Sequence, residues 1–183
     1  MKKILISSIL FILTISISYS YKKQEYEELR LLFYSAVQNE DNMNSFKEKL
    51  YKVFGEYNST IEPLGIAYWG IYRTLIAKHS LNPYTKLKEL KKGLEIIEEA
   101  IKKDQNNLEI RFLRFSVLHH IPDFLGYNEE KNNDAQKILE LLKKQDYSKL
   151  DFNFQKGIAE FMIKTKRINK QSIQDLTEIY LKQ

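Results

Sequence analysis

From residue 22 onward, apolar positions recur at alternating spacings of three and four, and no stretch keeps the strict alternation of a half-buried strand. The period predicts about eight helices, over 22–39, 44–57, 63–80, 84–104, 107–121, 129–145, 151–166 and 170–182. Three prolines and six glycines punctuate the chain, most of them where a helix should start, stop or pack closely. The connections are short, so neighbouring helices should pack antiparallel as hairpins. No low-complexity linker or composition break divides residues 21–183, which predicts a single helical domain.

Three segments carry most of the pattern. In 84–104, Leu87, Leu90, Leu94, Ile97 and Ile101 form one apolar stripe, and Gly93, Ile96 and Ala100 widen it into a second contact face. In "PLGIAYWGIYRTLIAKHS", Ala67, Gly70, Thr74 and Ala77 form a stripe of small side chains flanked by Tyr68, Trp69, Ile71, Tyr72 and Leu75. A small stripe lets a partner helix approach closely, and a packing role is expected for Gly70, because glycine inside a helix costs about 0.5–1 kcal/mol relative to alanine. In "NLEIRFLRFSVLHH", a turn of about 100° per residue gives two opposite apolar faces. Leu108, Phe112, Phe115 and His119 lie on one, and Ile110, Leu113 and Val117 on the other. Such a helix is sandwiched between neighbours. Arg111 and Arg114, with Leu118, share one seam between the faces, while Glu109, Ser116 and His120 share the other. Asn106 with Glu109 has the spacing of a capping box, and Pro122 ends the segment. In "IPDFLGY", Phe124, Leu125 and Tyr127 should fold back to plug the core, with Gly126 allowing a left-handed turn; the alternative is an aromatic lip on a ligand groove.

The first twenty residues follow another pattern. Lys2 and Lys3 precede an apolar run from Ile4 to Ile17, and Ser16-x-Ser18 and Ser18-x-Ser20 offer small residues for a signal peptidase. Residues 1–20 are therefore expected to be an export signal, leaving a mature start near Tyr19 or Tyr21 and a periplasmic or secreted protein. The competing reading is an uncleaved anchor. The run is shorter than the roughly 20 apolar residues of a spanning helix, which favours cleavage and no stable membrane insertion. The chain has no cysteine, hence no lipidated N-terminal cysteine, disulfide or thiolate chemistry.

Charge adds little. Residues 1–20 hold two lysines and no acid, so the 29 basic and 24 acidic side chains of the whole chain become 27 and 24, a net +3. Signs alternate, as in "ELKKGLEIIEEAIKKD", where a nucleic-acid binder would gather its positive charge on one face. No nucleic-acid partner is expected.

"KKGLEIIEEAIKKDQNN" resembles the second helix of a tetratricopeptide repeat. Gly93, Ile97 and Ala100 match its small, large-apolar and small positions, and Gln105 stands where that repeat usually has proline. Trp69-Gly70 resembles the first-helix signature. The turn "LNPYT" is too long for a regular 34-residue unit, and Arg111 and Arg114 replace apolar residues in the next one, so the resemblance is to a degenerate repeat. It implies a tetratricopeptide-like right-handed helical array. "AYWGIYRTLIAKHSLNP", "KKG", "EEAIKKDQNNLEIRFLRFS" and "PDFLGYN" also resemble small exported proteins of Gram-negative bacteria that carry no assigned activity. That resemblance covers roughly residues 67–128 and implies fold and compartment, with no catalytic residue to carry across.

Candidate chemistry is sparse. Arg111 and Arg114 are expected chiefly to tie helix layers together through ion pairs or carbonyls. Their alternative role is an anion pocket, or an enzyme site, formed with His120, Tyr127 and Tyr72. His119 and His120 point about 100° apart and cannot share one metal as an i,i+4 pair. Convergence of His79, His120 and Asp123 is the remaining metal arrangement. No H-E-x-x-H, G-x-S-x-G or phosphate-binding loop is present. Glu98–Glu99 and Glu129–Glu130 read as solvated helix faces. No catalytic residue, metal or cofactor is assigned, and the expected function is binding of a protein or peptide in the cell envelope.

Overall fold

A computed structural model describes residues 22–182, and within them every regular element is helical. Eight α-helices follow in order: α1 over 22–38, α2 Met43–Phe54, α3 Pro63–His79, α4 Pro83–Lys103, α5 Leu108–His119, α6 Asn128–Lys143, α7 Phe152–Lys164 and α8 Lys170–Tyr180. Number, order and bounds agree with the hydrophobic period to within three residues at each end. The expected signal at 1–20 lies outside the described residues. No helix among them is long and apolar enough to cross a membrane.

The chain divides into two compact units, one up to Tyr57 and one from Asn58. In the first, α1 and α2 are joined by a short 3-10 turn, Glu40–Asn42, capped by the Asn39 side chain. Phe33 of α1 and Phe46 of α2 meet at 6.0 Å between ring centroids. The buried Lys49 ammonium bridges Glu25 and Glu28 of α1 at 2.9 and 2.5 Å.

The second unit is built around α3–α4 and α5–α6. Gly70 and Gly93 mark the crossing of α3 and α4. A Cβ on Gly70 would sit 2.7 Å from the Gly93 carbonyl oxygen, and one on Gly93 would sit 2.7 Å from that of Gly70. Going along the pair, Gly70 opposes Ile97, Thr74 opposes Gly93 and Arg73 reaches Glu89, so the helices run antiparallel. The small stripe therefore serves a near backbone-to-backbone approach, as its spacing predicts. Of the α4 stripe, Leu94, Ile97 and Ile101 are buried, whereas Leu87 stays 40% exposed beyond the crossing.

Helix α5 is buried on two sides, as its wheel predicts. Phe112 and Phe115 enter a core with Ala135, Ile138, Ile158, Met162 and Leu176 from the helices that follow. Leu118 joins Leu94 and Ile121 in a second cluster, with Val117 against it. The cap differs from the expected box. Asn107, and not Asn106, accepts from the Ile110 N–H, while Glu109 is buried and accepts from the Tyr68 hydroxyl at 2.6 Å. A polar knot closes the C-terminal end of this core. The Tyr180 hydroxyl donates to the Leu142 carbonyl, and the Gln155 amide donates to the Asp146 and Leu150 carbonyls. Burial pushes the Tyr180 hydroxyl pKa well up.

Gly93→Ala should destabilise the protein by about 1–3 kcal/mol in urea unfolding, because overpacking at the crossing exceeds alanine's helix-propensity gain of about 1 kcal/mol. A stabilised variant would show that the helices do not meet as closely as this.

Candidate functional site

Arg111 and Arg114 lie one turn apart on α5 and turn toward the same residue of α6. Arg114 grips Asp134 with two arms of its guanidinium, Nε to Oδ2 at 2.6 Å and Nη2 to Oδ1 at 2.8 Å. Its third nitrogen, Nη1, donates to Glu98 of α4. Arg111 donates from Nη1 to Asp134 Oδ1 at 3.0 Å and from Nε to the Gln105 carbonyl at 3.1 Å. Asp134 has no solvent exposure and Arg114 only 5%. Burial opposes the charge on Arg114, yet the Asp134 and Glu98 carboxylates outweigh it and raise its pKa. The planar fork explains why arginine stands here, since a lysine could not make these three bonds in one plane.

An open cleft of about 260 Å³ lies beside this network, lined by Glu98, Ile101, Lys102, Gln105, Arg111, Arg114, Glu130 and Asn133. Its cations are largely matched: Arg114 by Asp134 and Glu98, Arg111 by Asp134, and Lys102 by Glu98 at 3.7 Å. Three other groups keep bonding capacity. Glu130 Oε2 is buried without a hydrogen-bond partner, and the Gln105 and Asn133 carboxamides make no hydrogen bond within the described residues. Glu130 is therefore not the solvated residue its sequence neighbours suggest.

Of the five residues singled out from the sequence, the structure brings Arg111 and Arg114 together and places the other three outside the cleft lining. His120 is the exposed C-cap of α5, its ring edge-on to His119 at 5.1 Å. Tyr127 caps the start of α6, half-buried against the Leu94–Leu118–Ile121 cluster, and burial raises its hydroxyl pKa. Tyr72 lies on α3, edge-on to Trp69 at 5.9 Å. Among the described residues no three of His, Asp and Glu converge as a metal site, so His79, His120 and Asp123 do not form one.

Sequence reasoning missed Lys131. Its side chain is 1% exposed, and its ammonium donates to the Ile121 carbonyl at 3.2 Å and to Asp123 at 2.9 Å. The bond to Lys131 holds the Asp123 carboxyl below its usual range. Lys131 thus pins the α5–α6 connection from inside. Leu125 and Tyr127 pack inward as expected, and Gly126 takes a left-handed φ of +86°. Phe124 does not plug the core, for it is 85% exposed. The residue following Asn132 and Asn133 gave a weak signal for Asp134, since an acid at that point of a helix reads equally well as surface.

His119 lies against Phe115 and Phe161, with Nδ1 buried and without a partner. Burial, reinforced by the charges of His120, Arg167 and Lys131, lowers its pKa from the usual 6.5. No family model, curated protein or solved structure matches this chain.

Asp134→Ala should cost about 3–5 kcal/mol in chemical denaturation, because it leaves the Arg114 charge buried and weakly compensated. Lys102→Ala, which removes a surface pair, should cost less than about 1 kcal/mol. Comparable losses in the two variants would contradict the burial of the pair. A second expectation follows from His119. The unfolded chain takes up its proton at a higher pH than the folded one, so stability contributed by neutral His119 is complete above about pH 6.5 and falls as pH drops through that value toward the lower folded pKa. The difference in unfolding midpoint between about pH 7.5 and about pH 5.5 should shrink in His119→Phe. An unchanged difference would place the acid sensitivity elsewhere.

Proposed function

We propose that this chain is an exported helical module that binds a polypeptide segment, taken in the open cleft between α4, α5 and α6. The observation that carries the reading is the composition of that cleft. Its positive charges are matched internally, while the exposed Gln105 and Asn133 carboxamides stay available. Carboxamides donate and accept together, which suits the alternating N–H and C=O groups of a peptide backbone. A small anion would need unmatched positive charge, and Arg111 and Arg114 have given most of theirs to Asp134 and Glu98.

The architecture supports the same reading. Hairpins α3–α4 and α5–α6 succeed one another as paired helices, the unit from which tetratricopeptide-type arrays build their peptide-binding surfaces. This step is an analogy of fold. Lys2, Lys3 and the apolar run after them support export, which puts the partner in the cell envelope or outside the cell.

Peptides selected by display against the protein should perturb the amide resonances of Glu130 and Asn133. The double variant Gln105→Ala/Asn133→Ala should weaken their binding by about tenfold or more, the size expected for losing two buried hydrogen bonds. Inorganic phosphate and citrate, titrated in parallel, should leave the Arg111 and Arg114 Nε–H resonances in place. Saturable shifts of those resonances with phosphate, without any effect of peptides, would overturn the reading in favour of an anion site.

A further inference from the structure

The tip of the α3–α4 hairpin carries features that neither the core nor the cleft uses. Leu81, in the turn, is 99% exposed, Tyr84 is 78% exposed and Leu87 is 40% exposed. They follow one another at intervals of three residues. The turn that bears them is stiff. Pro83 opens α4, and the Asn82 side chain accepts from the Tyr84 and Thr85 N–H groups at 2.9 and 3.2 Å. Leu81 therefore projects from a fixed backbone, and nothing in the protein gains from its apolar surface.

Signs alternate along the sequence here too, yet three lysines gather on one side of α4 near this tip. At about 100° per residue, Tyr84, Lys88 and Lys91 share the face of α4 turned away from Gly93, with Leu87 and Lys92 on its flanks. Lys88, Lys91 and Lys92 are all exposed, and among the described residues none is paired with an acid. The nearby Glu89 lies off this face and is taken by Arg73 at 3.1 Å. Glu95, one turn further on, ends the basic run.

We propose that this tip docks the protein on the surface of an anionic phospholipid bilayer, with Leu81, Tyr84 and Leu87 entering the interface and Lys88, Lys91 and Lys92 meeting the lipid phosphates. Lysine stems lie along apolar surface while their ammonium groups reach upward to charge, and tyrosine prefers the headgroup level. An acidic polypeptide would supply the same charge. It binds by burying anchors in grooves, however, whereas here the anchors are on the protein and project outward. A bilayer takes up a projecting side chain without a matching shape. The mode is peripheral, lying on the membrane and not spanning it, and it is independent of the peptide cleft.

The chain has no cysteine, so Leu81→Cys gives a single site for an environment-sensitive fluorophore in the full-length protein. Emission from position 81 should rise and shift to the blue with vesicles of phosphatidylethanolamine and phosphatidylglycerol, and change little with phosphatidylcholine alone. The same dye at Gln136→Cys, on the exposed side of α6, should stay silent and so separates docking of the tip from attachment through residues 1–20. Adding Lys88→Gln, Lys91→Gln and Lys92→Gln should lower the partition coefficient by about 100-fold, at roughly fivefold per lysine. The Lys→Glu versions at the same three positions, with helicity checked by circular dichroism, should lower it further. A silent dye at position 81 overturns the proposal. So does an equal response to neutral vesicles, a response that survives charge reversal, or cross-linking of the tip to an acidic polypeptide in place of lipid.

Discussion

Three N–H···O bonds from two arginines converge on the carboxylate of Asp134, which has no contact with water. Removing a carboxylate from water is unfavourable by several kcal/mol unless its oxygens are filled by charged donors in good geometry. Every displacement of α6 along α5 would break that geometry while leaving the apolar contacts largely interchangeable. The network therefore sets the register of the two helices, and through Glu98 it extends to α4. Hydrophobic burial drives α5 into the interior, but leucine and phenylalanine would accept several neighbouring positions. Asp134 accepts one.

The Gly70–Gly93 crossing imposes a second constraint of a different kind. Two backbones this close exclude any side chain between them, so α3 and α4 are locked at one point. Against α5, the Tyr68 hydroxyl of α3 donates to Glu109, while Leu90 and Leu94 of α4 join the cluster around Leu118. Before Leu90, Tyr84 and Leu87 of the same helix stay exposed. Leu87 thus belongs to the apolar stripe of α4 in spacing yet remains outside the core. A stripe read from sequence gives the direction in which side chains point, not the length over which a partner covers them.

This distinction separates what was legible from what was not. Helix number, bounds and the two-sided burial of α5 follow from local periodicity, which needs no knowledge of partners. The seam holding Arg111 and Arg114 was legible for the same reason. Their acceptor was not. Asp134 lies twenty residues after Arg114 in a helix rich in charges, and nothing local distinguishes it from Glu129 or Glu140. Lys131 was hidden in the same way, because a lysine followed by two asparagines reads as surface until the Ile121 carbonyl is found beneath it. Glu109 was misread for the opposite reason. A local motif offered it a cap, and a buried tyrosine forty-one residues earlier took it instead.

The use of charge inside the second unit decides what its surface can offer. Arg111, Arg114 and Lys131 are cations whose partners lie within the fold, so they position helices and a loop and leave no net field for an outside anion. Around the cleft, what remains is hydrogen-bonding capacity without excess charge, the condition for gripping a neutral backbone. At the α3–α4 tip the situation is reversed: three exposed lysines form no ion pair among the described residues, and Leu81, Tyr84 and Leu87 stay outside the core. Unmatched charge acts over a Debye length of about 8 Å in physiological salt, whereas hydrogen bonds act only on contact. On the two proposals above, the tip would sense a charged surface before touching it, and the cleft would select a segment only once it is held nearby.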